Sequence, residues 1–316
     1  VEGKRKRSVR LIVVSIAFLL VFLSGCKEDE VKDIVTEFTH PDMDQSFQIV
    51  SAYKLYDAFI EKALQESEEE NVESLFETMV IEPVHEQCVA EGEHAEAMDL
   101  VWEQTPPDLE NAKGLIKEID TESINIAIKD ALIKSSTLLP SEIENTVCVF
   151  PALGEESPVG FNVGAGKILL FHSSYLKEDD YKITTAHEYH HSVWTEKYYD
   201  PNDYITVLEN MVFEGKALVF EELVYPEMYS YSIPVYSTYN NNHWELIEAD
   251  LNQGNLERSL EILYGEGELP PFYGYSEGFK IVMNYLEQYP DLEPEEWLGI
   301  DGEKMFEEGN YLSNYE

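Results

Sequence analysis

The stretch His187-Glu188-Tyr189-His190-His191 constrains this chain more than any other. On a helix, residues four apart lie on one face, so His187 and His191 can present two imidazoles to one metal ion. Glu188 then lies beside them, within reach of a metal-bound water as a general base. The spacing predicts a helix here and points to zinc.

The flanking sequence sets the fold class. Residues from about Gln45 to Leu139 read as helices: Tyr53, Tyr56, Phe59, Ile60, Ala63 and Leu64 recur at three and four, and Pro83, Pro106-Pro107 and Pro140 punctuate the run. The texture then changes. Thr146 to Phe150 and Ile168 to Phe171 are short β-branched or aromatic runs that suit strands, and Pro158 to Gly166 reads as a strand and turn. Asp179 or Asp180 is placed to cap the metal-binding helix. Further helices are expected at about Asp203 to Leu223, Tyr236 to Gln253, Leu256 to Leu263 and Glu277 to Gln288. The class is α+β, mostly helical, with a small sheet before the metal-binding helix. A strand pair in that place forms an edge to which an extended peptide adds as one more strand.

A catalytic zinc needs three protein ligands and an open position. Candidates for the third are His243, Glu209, Glu214, Glu221 and Glu222. Glu214 has a largely apolar helical setting (Asn210, Met211, Ala217, Leu218), and Gly215 beside it suggests a close approach by another segment. Glu209 is also flanked by apolar residues (Ile205, Val212, Phe213), so local pattern favours Glu214 without settling the choice. Glu221 and Glu222 read as helix-surface charge. His190 reads as a supporting or structural residue, His172 as a strand-end histidine, and His40, His85 and His94 as surface residues.

Ala186 to His191, with Glu214-Gly215-x-Ala217 downstream, a glycine-punctuated strand at Val159 to Gly164 and a late Gly274-Tyr275-Ser276-Glu277-Gly278, resembles a family of predicted zinc-dependent proteases. The likeness spans about Val147 to Leu298. It implies a zincin-like (gluzincin-like) fold, Zn2+ as cofactor, and His187, His191 and Glu214 as ligands. The reaction expected is hydrolysis of a peptide bond, with Glu188 moving the proton and a tyrosine stabilising the oxyanion. Tyr275 is the preferred tyrosine, with Tyr273 and His243 as alternatives.

The amino-terminal end suggests where this happens. Lys4-Arg5-Lys6-Arg7 and Arg10 precede an uncharged apolar run, Leu11 to Leu23, of signal-peptide length. Leu23-Ser24-Gly25-Cys26 resembles the lipobox of bacterial lipoproteins, which implies cleavage before Cys26, lipid on Cys26, and a protein anchored to the outer face of the cell membrane. The expected organisation is a signal peptide over 1–25, a tether over 26–41, a helical region over 42–140 and a zincin-like region over 141–316. With 63 acidic against 21 basic residues the formal charge is −42, which argues against a nucleic-acid partner; peptides or proteins as substrates are what the resemblance implies. Cys88 and Cys148 can pair in an oxidising compartment or stay two buried thiols; their spacing does not decide.

Two other classes fit parts of the pattern. Glu82-x-x-His85, Glu91-x-x-His94 and Glu188-x-x-His191 match the repeated element of di-iron bundles, but Pro83 and Gly92 interrupt the first two. A non-catalytic surface lipoprotein, binding a ligand or partner through a degenerate peptidase domain, is the other alternative; the intact Glu188 speaks against it.

Overall fold

The computed structural model describes residues 33–66, 68–97, 108–153, 158–228 and 233–315. Cys26 and the stretch expected to be a signal peptide lie outside these residues. Among the described residues, no helix is long and apolar enough to cross a membrane.

One mixed five-stranded sheet organises the chain, in the order β1-β2-β3-β5-β4. The strands are β1 (Val35–Thr39), β2 (Ser46–Val50), β3 (Asn145–Pro151), β4 (Gly160–Gly164) and β5 (Lys167–His172). β2, β3 and β5 run parallel, and β1 and β4 pair antiparallel at the two edges. Every residue of β3 is buried, as a central strand covered on both faces requires.

Two expectations are corrected here. β1 lies inside the stretch read as tether, and β2 inside the stretch read as helical. The alternation in Ser46–Val50 is only five residues long, too short to stand out from the helical pattern that follows, and the strand state is set by pairing with β3, in register from Phe47↔Asn145 to Val50↔Cys148. The sheet therefore crosses the expected boundary at 140. His40, read as a surface residue, is buried, and its Nε2 lies 3.1 Å from Thr137 Oγ1.

Twelve α-helices fill the rest of the described chain: α1 (Tyr56–Ala63), α2 (Glu69–Phe76), α3 (Glu82–Cys88), α4 (Leu109–Lys117), α5 (Thr121–Leu138), α6 (Glu178–Tyr198), α7 (Val207–Val224), α8 (Asn241–Trp244), α9 (Leu256–Tyr264), α10 (Tyr273–Gln288), α11 (Pro294–Trp297) and α12 (Gly302–Glu308). Asp108 and Asp120 cap α4 and α5 through their side chains. Asp180 works from inside the first turn of α6, accepting the Lys177 N–H at 2.7 Å. The long helix expected over Tyr236 to Gln253 shrinks to α8; the chain continues in turns, and the carbonyls of Leu251 and Gln253 accept the N–H groups of Leu208 and Val207 at the start of α7.

Cys88 and Cys148 form a disulfide, which ties α3 to the central strand across 60 residues. The close approach expected at Gly215 is the crossing of α7 and α10. A Cβ on Gly215 would overlap the Gly278 backbone, and one on Gly278 would overlap the Met211 carbonyl. Gly278→Ala must push the two helices apart, and should cost about 3 kcal/mol in a denaturant titration. A variant within about 0.5 kcal/mol of wild type would mean that the crossing is not tight.

Candidate metal centre

α6 carries the metal-binding motif at the heart of the fold: Ala186 to Ser192 are all buried. Its partner α7 runs back alongside it and brings Glu214 opposite the two histidines. His187 Nε2 and His191 Nε2 each lie 3.2 Å from the same oxygen of Glu214, Oε2, and 3.0 Å from each other. Tetrahedral zinc, with bonds of about 2.0–2.1 Å, sets its ligand atoms about 3.3 Å apart. Two imidazole nitrogens and a carboxylate oxygen this close make a donor set that suits the ion. These three residues form the one group among the described residues whose donor atoms converge in this way.

The electrostatics follow from burial and crowding. For Glu214, burial opposes ionisation, but the charge of His191 and hydrogen bonds from both imidazoles hold its pKa well below the usual carboxylate range. For His187, burial opposes protonation, and hydrogen bonds to Glu214 and Glu221 outweigh it, so its pKa rises. His187 Nδ1 lies 2.7 Å from Glu221 Oε1. A carboxylate on the far nitrogen fixes the ring's orientation and leaves Nε2 to the metal.

Glu221 was expected on the helix surface, and that expectation fails: it is buried and belongs to the site. The spacing carried a usable signal, since Glu221 lies seven residues after Glu214 and two helical turns bring it back to the same face. Glu222 is exposed. Glu209 serves elsewhere, its carboxylate accepting the Gly302 N–H at 2.9 Å at the start of α12.

Glu188 points at the edge strand. Its carboxylate accepts the backbone N–H of Asn162, and a Cβ at Gly160 would stand 2.8 Å from its Oε1. Gly160 therefore makes room for this side chain. Burial pushes the Glu188 pKa up, His187 opposes the rise, Glu214 and Glu221 add to it, and the result is about 7. A carboxylate poised there is a competent proton acceptor near neutrality.

Tyr275 stands in the first turn of α10, after Phe272 turns the chain in the left-handed region at φ 57°. It is buried, and burial together with the charges of Glu214 and Glu188 keeps its hydroxyl protonated, hence a donor. Tyr264, on α9, hydrogen-bonds to it. His243 lies edge-on to Tyr273, with ring centroids 5.7 Å apart. His190 is buried against Trp297, their rings stacked at 5.8 Å. His172 pairs with the Tyr181 hydroxyl. Phe213, read from the sequence only as an apolar neighbour of Glu209, stacks on His191 with centroids 4.1 Å apart.

A mixed α+β fold that brings two histidines, a glutamate and an adjacent buried glutamate together carries a group able to hold a metal ion. The chain belongs to the family described as predicted Zn-dependent protease (DUF2268), whose model matches residues 110–307. That match takes in α4 and α5, which the motifs alone had left outside. No curated protein and no solved structure matches the chain.

Proposed function

We propose that the chain is a zincin-like zinc metallopeptidase, tethered through a lipidated Cys26 to the extracytoplasmic face of the cell membrane. The observation that carries the reading is the convergence of His187, His191 and Glu214 at 3.0–3.2 Å beside Glu188 and the edge of the sheet. The Cys88–Cys148 disulfide supports the oxidising location, since such bonds rarely persist in reducing compartments.

His187, His191 and Glu214 would hold Zn2+. When bound, the ion supplies Lewis acidity, bringing the pKa of a water toward 7 and polarising the scissile carbonyl. Glu188 takes the proton of the attacking water on its carboxylate and passes it to the leaving amine. The Tyr275 hydroxyl donates to the carbonyl oxygen as charge builds there. The edge of β4 orients the peptide by backbone hydrogen bonds.

The mature protein should contain one zinc per chain, hydrolyse peptides, lose activity to a chelator and regain it on adding zinc. Activity that survives complete removal of metal, verified by elemental analysis, sinks the proposal. Two predictions follow from the surroundings of His187. Glu221→Ala should weaken zinc about 10- to 100-fold in a chelator competition, because Nδ1 loses its partner; unchanged affinity would remove Glu221 from the site. Zinc affinity should also rise with pH. The metal-free fold holds a proton on His187, whose raised pKa stabilises the fold at low pH and ceases to do so as pH climbs through it. An affinity that is flat between pH 5.5 and 8 would contradict this.

A further inference from the structure

The edge strand beside Glu188 is not open along its whole length. The Val159 carbonyl accepts the Phe171 N–H across the β4–β5 pair at 2.9 Å. Alternate residues of an antiparallel pair exchange these bonds, so Gly160 and Asn162 turn their backbone groups outward; Glu188 takes the Asn162 N–H, which leaves the Gly160 groups and the Asn162 carbonyl toward a substrate. One step further the edge is taken. His94 N–H donates to the Val163 carbonyl at 2.8 Å, and the Glu93 carboxylate accepts the Ala165 N–H at 2.8 Å. The fit is close, for a side chain at Gly92 would overlap Val163 and one at Gly164 would overlap Glu93. The disulfide at Cys88 anchors the start of this segment to β3. Residues 92–95 are therefore a built-in stop at one end of the edge.

The stop falls close to the metal centre. β4 and α6 run side by side: Gly160 lies against Thr184 and Glu188, and the Asn162 side chain accepts from Thr195 at 3.3 Å. His94 packs edge-on against Tyr199, near the end of α6. A peptide laid on β4 meets the segment one to two helical turns beyond His191. At about 3.3 Å per extended residue, that leaves room for about three residues. A cavity of about 500 Å³ opens at this end, walled in part by His94, Trp194, Tyr199 and Phe213. Phe213 joins it to the metal centre, because its ring also stacks on His191. The charged groups of the wall are mostly engaged: the Lys216 ammonium is bonded to the carbonyls of Leu298 and Ile300, Glu209 accepts the Gly302 N–H and Asp301 the Lys304 N–H, while Asp203 is exposed, so the aromatic faces are what the wall offers a side chain.

We propose that this cavity receives a large apolar side chain from the last few residues of a peptide, so that substrates are trimmed from one chain end and not cut internally. The proposal rests on the metallopeptidase reading. Its test is to incubate the zinc-loaded full chain with peptides of mixed sequence, and with the same peptides carrying flexible polar tails at both ends, and to map the cuts by mass spectrometry. The expected products are fragments of up to about three residues released from one end, rich in aromatic and large aliphatic residues, with the tailed peptides spared at the original positions. Tyr199→Ala and Trp194→Ala should each relax that side-chain preference about tenfold while zinc content and circular dichroism stay those of wild type. Cuts with more than about five residues on both sides overturn the proposal. So does a preference that neither variant changes. Zinc-loaded protein that cleaves no peptide overturns the peptidase reading itself, a result distinct from cuts at the wrong place.

Discussion

Glu188→Gln should keep its zinc and lose turnover by about 100- to 10,000-fold, equivalent to about 3–5 kcal/mol of barrier. The carboxamide has the same shape, so it still fits the space that Gly160 leaves open. It accepts no proton from water and delivers none to the leaving amine. The three converging donor atoms belong to other residues, which is why metal content should not follow activity. Wild-type activity should also fall on the acid side as Glu188 takes up a proton. Burial, with the neighbouring carboxylates, puts that pKa at about 7 without metal, and a bound cation draws it lower, so the acid limb belongs at or below neutrality. A Glu188→Gln protein with full zinc and near-normal turnover would falsify the assignment of the general base.

How much of this was legible beforehand depended on whether the cause was local. His187, Glu188 and His191 were readable because one helix sets their relation, and Gly215 because a glycine in mid-helix signals close approach. Of the three strands before α6, β3 and β5 were readable from their β-branched and aromatic runs and β4 from its glycine-punctuated stretch. Glu214 could be preferred to Glu209 but not separated from it, because the difference is made by a distant partner: the N-terminus of α12 claims Glu209. Glu221 was misread for a related reason. Its charge looked like surface until His187, 34 residues away in sequence, supplied a buried partner. β1 and β2 were missed because five-residue strands owe their state to pairing across the sheet, and β2 finds its partner in β3 about a hundred positions later. Each miss lies where a non-local contact overrides a weak local preference.

Removing the Cys88–Cys148 bond should lower the free energy of unfolding by about 4 kcal/mol. The bond closes 60 residues, α4 and α5 among them, and so removes many conformations from the unfolded chain. Both cysteines are buried, at 1% and 0% exposure, so a Cys88→Ala/Cys148→Ala double variant avoids burying hydroxyl groups and isolates the cross-link. The comparison is a denaturant titration of that variant against oxidised wild type. A midpoint shift worth less than about 1 kcal/mol would mean that the loop is already restrained in the unfolded state. The proposed metal ligands sit on α6 and α7, outside the closed loop, so zinc content should survive where stability does not. The segment that follows Cys88 should respond differently. Residues 92–95 hold the β4 edge by few hydrogen bonds, and without their anchor they should exchange amide hydrogen faster than β3 and β5. Stability, metal content and the closed end of the edge strand should therefore come apart in this one variant: the first falls, the second holds, and the third loosens.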